Sequence, residues 1–472
     1  MAPGETGRFL TGSTMGHVAR MTFTGMAGIS FLFLVDFLTL FYVTMLGDDT
    51  LTAGVGFAWG VQFFTVSFGI GLSIATTALV SREIGAGRRE RARRLAGASL
   101  LIAAATLASV ALVVVLFRAP ILTLIGATGA AHATGADFLL FSVPSLPFVG
   151  FGMVSGATLR ADGEARRAML ITVVSGFAAM VLGPILIFQL ELGVRGAALS
   201  MVLSRVIGTV VGFRYCLGRN LVAAPSRAEL IGFLRPFFAV AGPAMATQLS
   251  TPFGNVLLTW WVSDFGDSAV AGWAVASRLT VVAFGGIYAL SGAIGGILGQ
   301  NYGARIGPRV ASAYRDALIF CAIYVVVVWI ALALLEPWIV SGFGATGPGA
   351  EVIRAFCFIG AGAFVFNGAF FVANSAFNSL GRPIWSTWLN WMRDGAATPL
   401  ALFAMPGAVG ATGVVWAQTA AAILLGSIAV ALGWRLAHRP LAPRFPAATG
   451  ATGAAAAPAL ESDAGGVRLR EG

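Results

Sequence analysis

Lysine is missing altogether: all 30 basic side chains are arginine, and charged residues of every kind make up only 11% of the 472 positions. A soluble domain carries about 25% charged residues. This chain has too few to cover a water-facing surface of its own size, which excludes both an ordinary soluble enzyme and a disordered protein. Cysteine is scarce too. Cys216, Cys321 and Cys357 each lie in an apolar run and none has a C-x-x-C spacing, which argues against a disulfide framework or a zinc site. The three histidines do not cluster, so a metal site has little support. No nucleophile–base pair is visible, and an enzyme is the weakest reading.

What is abundant is apolar. Hydrophobic residues make up 57% of the chain and the mean hydropathy is +0.86. Twelve apolar runs recur, at roughly 19–46, 51–80, 93–117, 134–159, 166–190, 194–217, 234–263, 270–299, 310–336, 351–379, 384–405 and 408–436. Each is long enough to cross a hydrocarbon core of about 30 Å as a helix. Closed barrels show short alternating segments instead. The expected fold is therefore an all-α polytopic membrane protein with twelve transmembrane helices, and the lipid bilayer is its first partner.

Arginine orients the chain. The even-numbered connections carry seventeen arginines and the odd-numbered ones only Arg118, Arg195 and Arg354. That bias places the even connections and both termini in the cytoplasm. The net charge of +10 then reads as orientation, and nucleic acid is not an expected partner. Residues 1–20 lack a short apolar core followed by a small-residue cleavage site, so no cleaved signal peptide is expected. The segments read as a cytoplasmic start at 1–18, a six-helix bundle at 19–217, a polar linker at 218–233, a second bundle at 234–436 and a disordered tail at 437–472.

The two bundles repeat. Ser81-Arg82-Glu83-Ile84-Gly85-Ala86 pairs with Gly299-Gln300-Asn301-Tyr302-Gly303-Ala304 at an offset of 218. Leu159-Arg160-Ala161-Asp162-Gly163 pairs with Phe377-Asn378-Ser379-Leu380-Gly381 at the same offset. Transporters commonly place their sites between such halves.

Carboxylates inside the spans are rare. Asp36, in the middle of helix 1, is either a proton or cation site or a hydrogen-bond anchor to another helix. Asp394 in helix 11 stands beside Arg393. Adjacent residues on a helix point apart, so the two are not expected to pair, and an ion pair with another helix competes with a functional role. Arg205 and Arg278 are read as snorkelling toward the cytoplasm, with a substrate role as the alternative. In helix 10, Asn367, Asn374 and Asn378 share a face with Phe371, either lining a cavity or bonding the bundle together. Asn255 is the repeat mate of Asp36. Pro184 and Pro399 are repeat mates in helices 5 and 11, and Pro243 is expected to open helix 7; all three are candidate hinges.

The Gln300-Asn301-Tyr302-Gly303-Ala304 motif after helix 8 and its partner after helix 2 make the sequence resemble a multidrug and toxic compound extrusion (MATE) transporter. So do Leu159-Arg160-Ala161-Asp162-Gly163-Glu164 after helix 4 and Gly242-Pro243 with Gln248-Leu249-Ser250 at the start of the second half. The resemblance covers residues 15–436. It implies two six-helix bundles in a V and export of organic cations, driven by entry of protons or sodium through alternating access. Asp36 matches the helix 1 aspartate implicated in coupling. The family's helix 5 pattern Asn-x-x-x-Asp-Pro reads Ala179-Met180-Val181-Leu182-Gly183-Pro184 here, and a helix 6 threonine reads Met201. A proton is therefore favoured over sodium, with no cofactor. Carboxylates that some members carry in helices 7 and 10 read Asn255 and Asn367. The expected cation-coupling residues are Asp36 and Asp394. The expected substrate-binding residues are Asp36, Asn255, Asn367, Asn374 and Asn378. A monomer in the bacterial cytoplasmic (inner) membrane completes the expectation, and a flippase of lipid-linked substrates is the alternative. A major-facilitator transporter would show a Gly-x-x-x-Asp-Arg loop after helix 2, which is absent.

Overall fold

The structure is a computed structural model that describes residues 7–405 and 407–441, without the side chains at positions 36, 37, 40, 49, 407 and 408. The first half holds α1 (Thr14–Thr44), α2 (Asp49–Gly85), α3 (Arg89–Leu116), α4 (Gly129–Asp162), α5 (Ala165–Gln189) and α6 (Gly193–Gly218). The second holds α7 (Arg227–Ser263), α8 in two arms (Asp267–Ala283 and Gly285–Gly303), α9 (Gly307–Gly342), α10 (Gly347–Ser379), α11 (Pro383–Trp391, Met392–Ala397 and Thr398–Ala404 in succession) and α12 (Gly413–Ala437). Among the described residues there is no strand.

Ten helices are long and apolar enough to cross a bilayer, and an eleventh is added if the arms of α8, bent by 46°, count as one. The remaining expected crossing, α11, is helical throughout. Its centre carries Asn390, Arg393 and Asp394 and winds as a π-helix over Met392–Ala397, so apolarity alone does not mark it. Most of the expected tail lies outside the described residues.

Helix starts follow local chemistry. The Asp48 carboxylate caps α2 through Thr50 and Leu51. The hydroxyl and backbone N–H of Thr50 hold that carboxyl below its ordinary range. Ser226 and Glu229 form a reciprocal capping box at the start of α7, which satisfies two otherwise orphan N–H groups. This corrects two expectations. The polar segment 218–233 is already helical from Arg227, and Pro243 does not open α7 but lies deep inside it, with Pro236 and Pro252. Polarity hid a helix that begins before its apolar run. The other two hinge candidates border π-helical turns: Pro184 precedes Ile185–Gln189 and Pro399 follows Met392–Ala397. Proline removes an N–H from the ladder, and a π register accommodates the gap. At Pro399 the Thr398 hydroxyl donates to the Arg393 carbonyl at 2.8 Å.

The halves exchange helix ends. Val18 and Met21 of α1 are buried in the second half's core with Ile287, Ile294 and Ala317. Thr14 donates to the Asp316 carboxylate on α9. Reciprocally, Phe237, Val240 and Ala241 of α7 are buried in the first half's core with Leu72, Ala75 and Ala98, and Arg94 of α3 pairs with Glu229 at 2.6 Å. Both exchanges occur at the arginine-rich end, so α1 and α7 each bind the opposite half at one end and their own half at the other.

Candidate functional site: a sealed seam below two arginine clusters

The repeated motifs meet at the arginine-rich end. Gln300 is fully buried and bridges three segments: its Oε1 accepts from the Phe9 N–H at 3.0 Å and its Nε2 donates to the Ala161 carbonyl at 2.6 Å. Asn301 donates to the Phe9 carbonyl at 3.2 Å. Arg309 reaches the carbonyls of Phe9, Thr11 and Gly12, and Arg8 pairs with Glu164 at 2.6 Å. From the other side, Arg82 of α2 donates to the carbonyls of Asn378 at 2.7 Å and Ser379 at 2.8 Å, at the end of α10. The stretch before α1 is thereby clamped between the halves, and α2 and α8 come close enough that glycine is required. A Cβ on Gly85 would lie 1.9 Å from the Gln300 carbonyl oxygen, and one on Gly303 would lie 2.1 Å from that of Arg82. The seam is shut at this end.

Further along the helices each half holds an inward-turned arginine cluster, buried in the second half and half-buried in the first. In the second half, Arg393 pairs with its own neighbour: Nε to Asp394 Oδ1 at 2.7 Å and Nη2 to Oδ2 at 3.1 Å. The expectation that adjacent residues cannot pair is thus overturned. The backbone here is π-helical, and the long arginine side chain folds back over its own helix. Its Nη1 donates to Asn367 at 3.2 Å, and its guanidinium lies 4.4 Å from the centre of the Phe370 ring, a cation–π contact. Ser250 of α7 donates to Asp394 at 2.9 Å. A Cβ on Gly254 would come within 3.0 Å of the Asp394 Cβ, so α7 fits closely against the pair.

In the first half, Arg205 of α6 does not snorkel. It turns inward, donating to Gln62 Oε1 at 2.6 Å and to the Ser145 hydroxyl at 2.7 Å. Gln62 also donates to Ser142 at 2.9 Å and meets Met201 Sδ at 3.4 Å. Gln62 was not expected as part of a site, and for Arg205 snorkelling was the first expectation, with a substrate role as the alternative. The one available signal was a glutamine within an apolar run.

The candidate residues do not gather into one site. Asn367 joins Arg393. Asn374 and Asn378, roughly 10 Å and 16 Å further along α10 at 1.5 Å per residue, are buried toward the seal, with Oδ1 atoms that lack a hydrogen bond among the described residues. Asn255 is exposed in mid-helix on α7. Asp36 lies on α1, and its side chain is outside the described residues. Its neighbour Val35 is buried, where a Cβ on Gly176 of α5 would come within 2.8 Å of it.

The family profile described as MatE matches residues 25–185 and 243–403, one stretch in each half. The chain is 23% identical over 392 residues to the FAD transporter of Shewanella oneidensis, covering 81% of this chain and 86% of that one. It is 23% identical over 410 residues to the multidrug export protein MepA of Staphylococcus aureus, covering 85% and 89%. Among solved structures, the bent form of the Vibrio cholerae MATE transporter VcmN superposes with a TM-score of 0.84 at 23% identity, over 90% of this chain and 97% of that one.

Proposed function

Since this chain belongs to the MatE family and is a membrane transporter, we propose that it exports organic cationic or amphiphilic compounds by alternating access, driven by inward movement of protons. One observation carries the reading: the seam between the halves is latched shut at one end, below charged clusters turned inward in both. Such a latch can exchange with a closure at the other end. We take the arginine-rich end as cytoplasmic, in a bacterial inner membrane, which makes this the state closed to the cytoplasm. The protein acts as a monomer.

Asp36 is the coupling group in this reading. Its helix is tied to the second half at its start and packs on α5 near Asp36. Ionised, Asp36 favours a cation or a wet cavity; protonated, it loses that attraction and lets α1 repack. Moving one charge across 100 mV supplies about 2.3 kcal/mol, enough for modest uphill export. Asp394 is compensated by Arg393, so it acts in coupling only when that pair opens. Asn255 and Asn367 belong to the binding surface.

The test is efflux from proteoliposomes under separate proton and sodium gradients. We expect Asp36→Asn to abolish proton-driven efflux of a cationic dye while the protein still inserts and folds. Full transport by that variant defeats the reading. A second reading, an anionic aromatic cargo, is favoured by Arg205 and by the stacking of Arg393 on Phe370, and a relative is named an FAD transporter. Export of FAD but not of the dye in the same vesicles decides for it.

A further inference from the structure

Beside the seal lies a cavity of about 560 Å3 whose walls come from both halves. Arg82 and Glu83 line it from the end of α2, Arg88 from just beyond, and Tyr302 and Arg305 from the end of α8; the chain after α12 closes one side. Three guanidinium groups thus share the cavity with one carboxylate. That carboxylate is already engaged: Glu83 takes Arg88 at 2.5 Å and 3.2 Å and lies 3.8 Å from Arg91. Arg82 donates to neutral carbonyls and lies 5.6 Å from the centre of the Tyr302 ring, and no carboxylate among the described residues pairs with it directly. The Arg305 side chain has no hydrogen bond or ion pair among the described residues.

Arg305 is also held in a left-handed backbone conformation, with φ at 60°, which side chains other than glycine, asparagine and aspartate rarely adopt. The internal repeat supplies the control. Its mate at an offset of 218 is Gly87, with φ at 72°. The two turns close alike. Ala86, Gly87 and Arg88 donate to the carbonyls of Arg82, Ile84 and Glu83; Ala304, Arg305 and Ile306 donate to those of Gln300, Tyr302 and Asn301. Glycine suits this position after a helix. The second half places an arginine there despite the strain, and strained residues cluster where a side chain is used.

We propose that this cavity binds a phosphate-bearing anion, held by the free guanidinium of Arg305 on one side of the seam, with Arg82 and the Glu83-paired Arg88 adding positive charge from the other. Guanidinium groups match phosphate oxygens in a bidentate fork. A ligand that ties the end of α8 to the end of α2 strengthens the seal, whatever the cargo. The phosphate belongs either to a soluble molecule or to an anionic lipid headgroup.

Thermal unfolding of the full-length protein tests this. Inorganic pyrophosphate probes the soluble source, and nanodiscs of phosphatidylglycerol against phosphatidylcholine probe the lipid source. We expect a saturable rise in Tm with one of the two. Arg305→Gly restores the residue used in the other half, so its ligand-free Tm should equal or exceed that of the wild type. Its apparent affinity should nonetheless fall by about tenfold or more, the loss of one charged hydrogen-bonding partner. Arg91→Gln removes the same charge from a position beside Glu83 that does not line the cavity and should keep the response. A wild type that responds to neither probe overturns the proposal. So does an Arg305→Gly protein that responds like the wild type, or an equal loss in Arg91→Gln.

Discussion

Gln300 shows how one side chain serves two backbone groups for which no other hydrogen bond is found among the described residues. Replacing it with alanine leaves the Phe9 N–H and the Ala161 carbonyl buried and unpaired, at about 1–3 kcal/mol for each. We expect Gln300→Ala to lower the Tm and to raise proteolysis at the start of the chain, read by limited digestion. Arg393 gives a sharper contrast. Its side chain is 8% exposed and that of Asp394 is 13% exposed. Arg393→Ala strands the carboxylate and should destabilise by about 3–5 kcal/mol. Replacing both partners, as Arg393→Met with Asp394→Leu, should recover most of that stability, because removing a buried pair together is often close to neutral. A double-mutant cycle in detergent measures it, and equal losses in the single and double variants would contradict the pairing described here.

Helix contacts at the seal depend on the absence of side chains. With the Gln300 carbonyl 1.9 Å from where a Gly85 Cβ would sit, Gly85→Ala forces α2 and α8 apart. We expect a cysteine placed at buried Thr77 to become reactive to maleimide in the Gly85→Ala background and to stay protected without it. The apolar runs and the repeat were legible in the sequence, because burial in lipid and pseudo-symmetry both leave periodic marks. Other features left none. The π-helical turn in α11 follows from how its backbone winds around Pro399 and Thr398, and the inward turn of Arg205 depends on Gln62, which is 143 positions away. The sequence spacing puts Asn367, Asn374 and Asn378 on one face, but which surroundings each meets along that face is decided by the neighbouring helices.

At the scale of the molecule, the two halves are not separable bodies. Because Phe237, Val240 and Ala241 complete the first half's core, a fragment of residues 1–217 should resist protease less well in membranes than one of residues 1–263. Equal resistance would show that the exchange contributes little. The same crossing bears on synthesis. The ribosome finishes the first six helices before α7, so until α7 is made and docked the first half has a trench open along α2 and α3. α1 waits too, its starting end exposed until α8 and α9 arrive. The order of translation and the order of packing therefore disagree, and a newly made chain passes through a stage in which six inserted helices are still an unfinished protein.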